Sequence, residues 1–265
     1  MIHQDAHNHL QDPRLDSCRD GIIAGLQEYG IQQCVVNGTS ESDWPAVSAL
    51  ASQHPGLIIP SFGLHPWQGA DRSPGWLATL TAFLDRHPAA GLGECGLDRW
   101  IQPHDLDDQR QVFLDQLKLA AARNRPLTIH CLRAWGPLLE CLRNHPHPER
   151  GFLLHSYGGS AELVPAFVEL GAYFSFSGHF LHPRKHRNRD AFRRVPLDRL
   201  LIESDAPDML PPGTHQPYPL KAPDGSPLNH PANLSAIFTG LAQLTRHPAE
   251  ELHNHLQANF SRLFR

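Results

Sequence analysis

The chain has 265 residues and a mass of 29.6 kDa, is 40% hydrophobic and 19% charged, and carries a formal net charge of −4 with His neutral. That length holds one large domain or two small ones, and the composition is that of an ordinary globular protein. The slightly acidic balance excludes a global basic field for nucleic acid while leaving local basic patches open, and no run approaches the roughly 18 apolar residues that a membrane helix needs.

The chain opens with "DAHNH" at 5–9 inside a short, partly apolar stretch that suits a strand. In a strand, residues i and i+2 share a face, so His7 and His9 are expected side by side, with Asp5 on the same face. With 19 His in the chain, the pair alone also reads as coincidence. The segment "DSCRDGIIAGLQEYG" (16–30) predicts a helix that groups Ile22, Ile23 and Leu26 and ends at Gly30. The strand-like runs "QCVVNG" and "LIIPSFGLHP" follow. "SPGWLATLTAFLDRH" (73–87) then places Trp76, Leu77, Leu80, Phe83 and Leu84 at helical spacing. Next come the strand-like "AAGLGECGLD", the helical "DDQRQVFLDQLKLAAARN", and the strand-like "PLTIHC" and "GFLLHSY". "AELVPAFVELG" reads as a helix with Pro165 in its first turn or at a kink. "AYFSFSG" and "RLLIESDAP" complete eight strand-like runs.

Strands alternating with helices imply parallel βαβ units, and eight of them in this length predict an α/β protein with a closed (β/α)8 TIM barrel; an open doubly wound sheet is the alternative. No linker divides the chain, so 1–265 is read as a single domain. The Pro-rich stretch 207–231 reads as a loop over the top of the barrel. Five cysteines (Cys18, Cys34, Cys95, Cys131, Cys141) are odd in number and lack CxxC spacing, which predicts no disulfide framework and fits a reducing cytoplasm. The first residues show no basic region leading into an apolar one, as a secretory signal would.

The polar residues gather at the C-terminal ends of the predicted strands. The first ends in His7 and His9, the third in His65, the fourth in Glu94, the fifth in His130, the sixth in His155, and the eighth in Glu203 and Asp205. In a parallel barrel these ends lie on one face, where barrel enzymes place their chemistry. Taken singly, His130 or His155 fits a hydrogen-bonded core histidine, and Asp205 fits a cap before Pro207. Glu94, close to Gly93 and Gly96, is less easily explained, because an acid in a buried strand needs a cation and the glycines allow close approach. Together, His7, His9, Glu94, His130, His155 and Asp205 form a ligand set for a divalent metal centre. His54, His87, His145 and His147 each stand beside Pro in a connecting turn and are expected to be solvated.

The ordered motifs "DAHNHL", "GLHPW", "GECGLD", "QRQVFLDQLKLA", "LTIHC", "LLHSYGGS" and "LLIESDAP", ending in "NFSRLF", cover nearly the whole chain. Their set resembles the TatD family of metal-dependent hydrolases. The resemblance implies a (β/α)8 barrel of the amidohydrolase type and metal-dependent nuclease activity. It implies that His7, His9, Glu94 and Asp205 hold one metal, that Glu94 bridges to a second held by His130 and His155, and that His65 touches the substrate. The chain departs from the family pattern where an Asn-Glu-Pro triplet is usual: it reads "LNHP", with His230 in place of the acid. Cys95 replaces an aliphatic residue, which reads as a packing change, and "RWIQPHDLDD" differs from the aromatic-rich form of many relatives.

These readings predict a metal-dependent phosphodiesterase or DNase, with a 3′ to 5′ exonuclease on single-stranded DNA as its specific form. Two divalent ions per chain (Zn²⁺, Mn²⁺, Ni²⁺ or Mg²⁺) would activate a water, and Asp205 would act as general base with Glu94 in the catalytic centre. Arg133, after the fifth strand, and Arg184 and Arg187, in "HPRKHRNRDAFRR" after the seventh, are the expected phosphate contacts; Lys185 and Arg189 extend that cluster, whose alternative is a solvated helix face. An amide or ester hydrolase, aminoacyl esters included, and a metal-binding protein without turnover are the competing readings. DNA or a small phosphoester is the expected partner, with no membrane and no obligate protein partner.

Overall fold

The computed structural model describes residues 1–265. Eight parallel strands run in sequence order around the sheet: β1 His3–Asn8, β2 Ile31–Asn37, β3 Ile58–Phe62, β4 Gly91–Asp98, β5 Leu127–Leu132, β6 Phe152–Leu154, β7 Ala172–Ser177 and β8 Leu200–Glu203. The ring closes where β8 meets β1. Asp205 N donates to His7 O at 2.9 Å, and His9 N donates to Ala206 O at 2.7 Å. The (β/α)8 barrel is therefore the observed fold. Its strands are buried on both faces, which is why they read as nearly continuous apolar runs.

The helices between the strands are α1 Arg19–Gly25, α2 Trp44–Gln53, α3 Trp76–Arg86, α4 Leu106–Ala122, α5 Trp135–Asn144, α6 Val164–Glu169 and α7 His186–Phe192; α8 Leu234–Thr245 and α9 Ala249–Phe264 follow β8. Helix α1 is shorter than its pattern suggested. Gly21 and Gly25 weaken it, and the chain turns through 26–30 before Gly30 enters the left-handed region at φ +79°. Pro165 lies in the first turn of α6, where its missing N–H costs nothing. The Pro-rich 207–231 segment is not plain loop. It contains an antiparallel pair, β9 Pro219–Lys221 and β10 Pro227–Asn229, and is tied down by Asn229 Nδ2 donating to Ser204 O at 2.7 Å.

Two apolar layers hold the barrel. The larger lies between strands and helices, and a smaller cluster joins Ala6, Val35, Leu153, Tyr173 and Leu201 to Phe260, Leu263 and Phe264 of α9. Helix α9 thus seals the floor at the N-terminal ends of the strands and leaves the opposite end for the polar residues. The turn histidines are less solvated than their Pro neighbours suggested. His54, His87, His145 and His147 are half-buried; His87 Nε2 lies 2.7 Å from Ser48 Oγ, and His145 Nδ1 lies 2.9 Å from Cys141 O.

Candidate metal centre

At the C-terminal mouth of the barrel, Glu94 is the hub. Its Oε2 lies 3.4 Å from His7 Nε2 and 3.3 Å from His9 Nε2. Its Oε1 lies 2.8 Å from His155 Nε2, 3.0 Å from His130 Nδ1 and 3.3 Å from His65 Nε2. The two oxygens of one carboxylate therefore face two separate histidine sets. Asp205 Oδ1 joins the first set, 3.5 Å from His7 Nε2 and 3.6 Å from His9 Nε2. The positive φ of Asp205, +52°, turns its carboxylate back over β1.

Local sequence explains how Glu94 arrives there. Gly96, at φ +150°, lies so close to β5 that a Cβ on it would stand 1.9 Å from His130 O. Only glycine permits that approach, which brings β4 and β5 together and sets His130 beside Glu94. Cys95 between them is buried, its Sγ 3.8 Å from Thr128 O, so this substitution serves packing.

Asp5 departs from the expected face. It is fully buried, but its Oδ1 accepts from Ser204 N at 2.8 Å and its Oδ2 from Asn8 Nδ2 at 3.0 Å. It ties β1 to β8 and is not among the residues around Glu94. The register of β1 against β2 shifts between Asp5 and Asn8, which breaks the strict alternation that grouped Asp5 with the two histidines.

The electrostatics are those of a site that favours positive charge. Burial alone would raise the Glu94 carboxyl; His155, His65 and His7 outweigh it and hold the group well below the usual range. Burial opposes the charging of His9, yet the Glu94 contact raises it to about 10; likewise Asp98 and Glu94 raise His130 to about 9 against burial. Burial lowers His65 to about 4 and pushes Asp205 up to about 7. Three sets of side chains offer ligand atoms within 4.8 Å of one another: His7, His9 and Glu94; His65, Glu94 and His130; and His7, His155 and Glu203. Ligand atoms at 2.0–2.1 Å from one ion and tetrahedral angles stand about 3.4 Å apart; the spacings at Glu94 Oε2, 3.3 and 3.4 Å, match that value, while those at Oε1 run from 2.8 to 3.3 Å. The buried nitrogens His7 Nδ1 and His155 Nδ1 have no hydrogen-bond partner. The donor set thus fits divalent ions of borderline hardness.

Two residues were not given roles from sequence. Asp98 accepts from His130 Nε2 at 2.9 Å and from the Trp67 indole N–H at 2.8 Å, and these contacts hold it at about 2 despite burial. Glu203, seen only as a strand-end acid, accepts from Ser156 N at 2.7 Å and from the hydroxyls of Ser156 and Ser175, with burial raising it to about 8. Of the expected phosphate contacts, Arg133, Arg184 and Arg187 are exposed beyond the ends of β5 and β7, on the face of the metal residues. Arg189 is used otherwise: its guanidinium donates to the carbonyls of Phe180, His182 and Pro183, shaping its own loop. His230 caps a short turn, its Nδ1 accepting from Ala232 N at 3.0 Å, and packs beside the Tyr29 and Tyr218 rings rather than among the ligands.

A family model described as TatD related DNase matches residues 4–265. The metal-dependent hydrolase YjjV of Escherichia coli is 31% identical over 98% of this chain and 96% of its own length. The 3′-5′ ssDNA/RNA exonuclease TatD of Erwinia tasmaniensis is 29% identical over 93% of each chain. The crystal structure of the Escherichia coli YjjV, a TatD homologue, superposes with a TM-score of 0.89 at 30% identity, covering 99% of this chain and 97% of that one.

Proposed function

This chain belongs to the TatD-related DNase family of metal-dependent hydrolases, and from that premise we propose that it is a dinuclear phosphodiesterase that removes nucleotides from the 3′ end of single-stranded DNA. The observation that carries the reading is the division of the Glu94 oxygens between His7 and His9 on one side and His130 and His155 on the other. In this assignment His7, His9 and Asp205 would hold one ion and His130 and His155 the second, with Glu94 offering one oxygen to each set. His65 stands close enough to the second set to join it or to meet the substrate. The whole of 1–265 acts as one catalytic domain.

A divalent pair supplies Lewis acidity, lowering the pKa of water toward neutrality and stabilising charge on a phosphate oxygen. The chain's own residues do the rest. Asp205 directs Oδ1 to His7 and His9, so its other oxygen accepts the proton of the attacking water. Asp98 fixes the His130 ring with Nδ1 toward Glu94, as a carboxylate behind a ligating histidine does. Arg133, Arg184 and Arg187 receive the flanking phosphates. The exposed indoles of Trp67 and Trp100 stand 6.1 Å apart beside His65 and offer surfaces for unpaired bases; that pairing of aromatic faces with a metal centre supports a nucleic acid over a small ester. All five thiols are unpaired, in keeping with a cytoplasmic enzyme.

The test is a substrate panel with metal-loaded protein: single-stranded DNA labelled at either end, model phosphodiesters, and small esters and amides. Stepwise shortening from the 3′ end, abolished by chelation and reduced ~10²–10⁴-fold in Asp205→Asn, is the expected result. Hydrolysis of an ester or amide without cleavage of DNA overturns the phosphodiesterase assignment.

A further inference from the structure

At the floor of the barrel, away from the Glu94 cluster, lies an open cavity of about 640 Å³. It is lined by four arginines: Arg123 at the end of α4, Arg125 before β5, Arg150 before β6, and Arg265 after α9. These come from three chain segments at the N-terminal ends of the strands: Arg123 and Arg125 from the connection between α4 and β5, Arg150 from the connection before β6, and Arg265 from the end of the chain. Strands of about six residues put this floor roughly 20 Å from the metal residues.

Four cations around one cavity need a reason. Arg123 has a carboxylate partner, Asp85 at 2.6 Å, on the exposed side. Arg125 meets only main-chain carbonyls, Leu84 O at 3.2 Å and Ala90 O at 3.4 Å. Arg150 Nη1 donates to Leu263 O at 3.2 Å, and Arg265 bonds Gln33 Oε1. Each guanidinium offers five N–H donors in a planar fork, so most donors of this group remain free. The Arg150 Nε is buried and has no hydrogen-bond partner. Partial burial, with the nearby Arg123 and Arg150, holds Arg125 below its ordinary pKa against the opposing pull of Asp85. Ile59, Pro60 and Phe264 supply apolar wall beside the charges.

We propose that this floor cavity is a second binding site, for a phosphate-bearing anion, with Arg125 and Arg150 as its principal donors and Arg123 at its rim. Phosphate suits the fork geometry of guanidinium and accepts several N–H bonds at once. The volume admits a phosphate ester as well as free phosphate. The site is independent of the metal centre and does not rest on the nuclease assignment.

Calorimetric titration with inorganic phosphate and with dAMP decides the matter, on the protein as purified and again after chelation, which removes anion binding at the metal centre. Wild type is expected to keep one chelator-resistant phosphate site per chain. Arg125→Gln with Arg150→Gln should weaken it about tenfold or more, since each lost charge-assisted bond is worth about that factor. Arg123→Gln, which gives up only a surface ion pair, should weaken it less and serves as the deciding variant if the double variant does not fold. Equal affinity for the two probes assigns the site to phosphate alone, and tighter dAMP assigns the apolar wall to the nucleoside; both support the proposal. No chelator-resistant binding up to tens of millimolar, or binding unchanged in all the variants, overturns it.

Discussion

His130 Nε2 donates to Asp98 Oδ2 at 2.9 Å while the opposite ring nitrogen, Nδ1, stands 3.0 Å from Glu94 Oε1. The aspartate thereby sets both the tautomer and the rotation of a ring that must present Nδ1 to the centre. Asp98→Asn keeps a side-chain acceptor but removes its charge. The expected loss is ~10–100-fold in metal affinity at the His130 side, or in turnover at limiting metal. Titration of the chelated variant with Mn²⁺ or Zn²⁺ measures it; affinity and turnover equal to wild type would remove Asp98 from the centre.

Metal loading is expected to release protons. In the metal-free protein His9 titrates at about 10, His130 at about 9 and Asp205 at about 7, so near neutrality the two imidazoles are protonated and Asp205 is partly so. Each group raised in this way must give up its proton to a cation, so affinity rises with pH until about 9–10 and falls as pH drops below 7. Calorimetry at one pH in buffers of different ionisation enthalpy reads the proton count directly. A metal affinity flat between pH 6 and 9 contradicts this account.

How much of this was legible in the chain depends on the distance over which each signal acts. The barrel was readable because strands covered on both faces leave apolar runs, and helical spacing between them leaves little choice of topology. Glu94, His7, His9, His130 and His155 were readable because each ends such a run, and a polar group there has few uses. Asp98 closes the same "GECGLD" run, yet its partners, His130 and Trp67, lie on β5 and beyond β3. Nothing local distinguishes it from a turn aspartate. Asp5 was misplaced because the irregular register of β1 is a property of its pairing with β2, not of its own alternation. The arginines of the floor cavity come from three segments distant in sequence, and only closure of the barrel brings them together.

His3 offers a test of the fold apart from the metal centre. It packs against Phe238 and His253 and is nearly inaccessible. Burial, with His253 beside it, lowers its pKa from 6.5 to about 4. The unfolded chain therefore binds a proton more readily than the folded one, and stability falls as pH drops from about 6.5 toward 4. The slope from this one residue approaches about 1.4 kcal/mol per pH unit between the two values, on the order of 3 kcal/mol in all. Chemical denaturation between pH 7 and 4.5 should show a shallower decline in His3→Gln than in wild type, and parallel declines would assign the acid sensitivity elsewhere.

The last prediction separates stacking from phosphate contact at the mouth of the barrel. Trp67 and Trp100 are 44% and 52% exposed, enough free surface to receive an unpaired base. Trp67 is anchored through its indole N–H to Asp98, the same carboxylate that holds His130, so a base on this ring is placed next to the centre. Trp100 lies 6.1 Å away at a tilt of 33° and has no such anchor in its side chain, which makes it the cleaner probe. Stacking is worth about 1–3 kcal/mol per base and responds little to salt, whereas each phosphate contact contributes about 0.7 to the salt slope on a single strand. Trp100→Ala should therefore weaken binding of single-stranded DNA about 5–150-fold with its salt slope intact. Arg184→Ala with Arg187→Ala should lower the slope instead. Duplex DNA, whose bases are already stacked, should be insensitive to Trp100→Ala. If Trp100→Ala leaves single-strand affinity unchanged, the indoles do not hold bases; an unchanged slope in the double arginine variant means the backbone takes another path across the face.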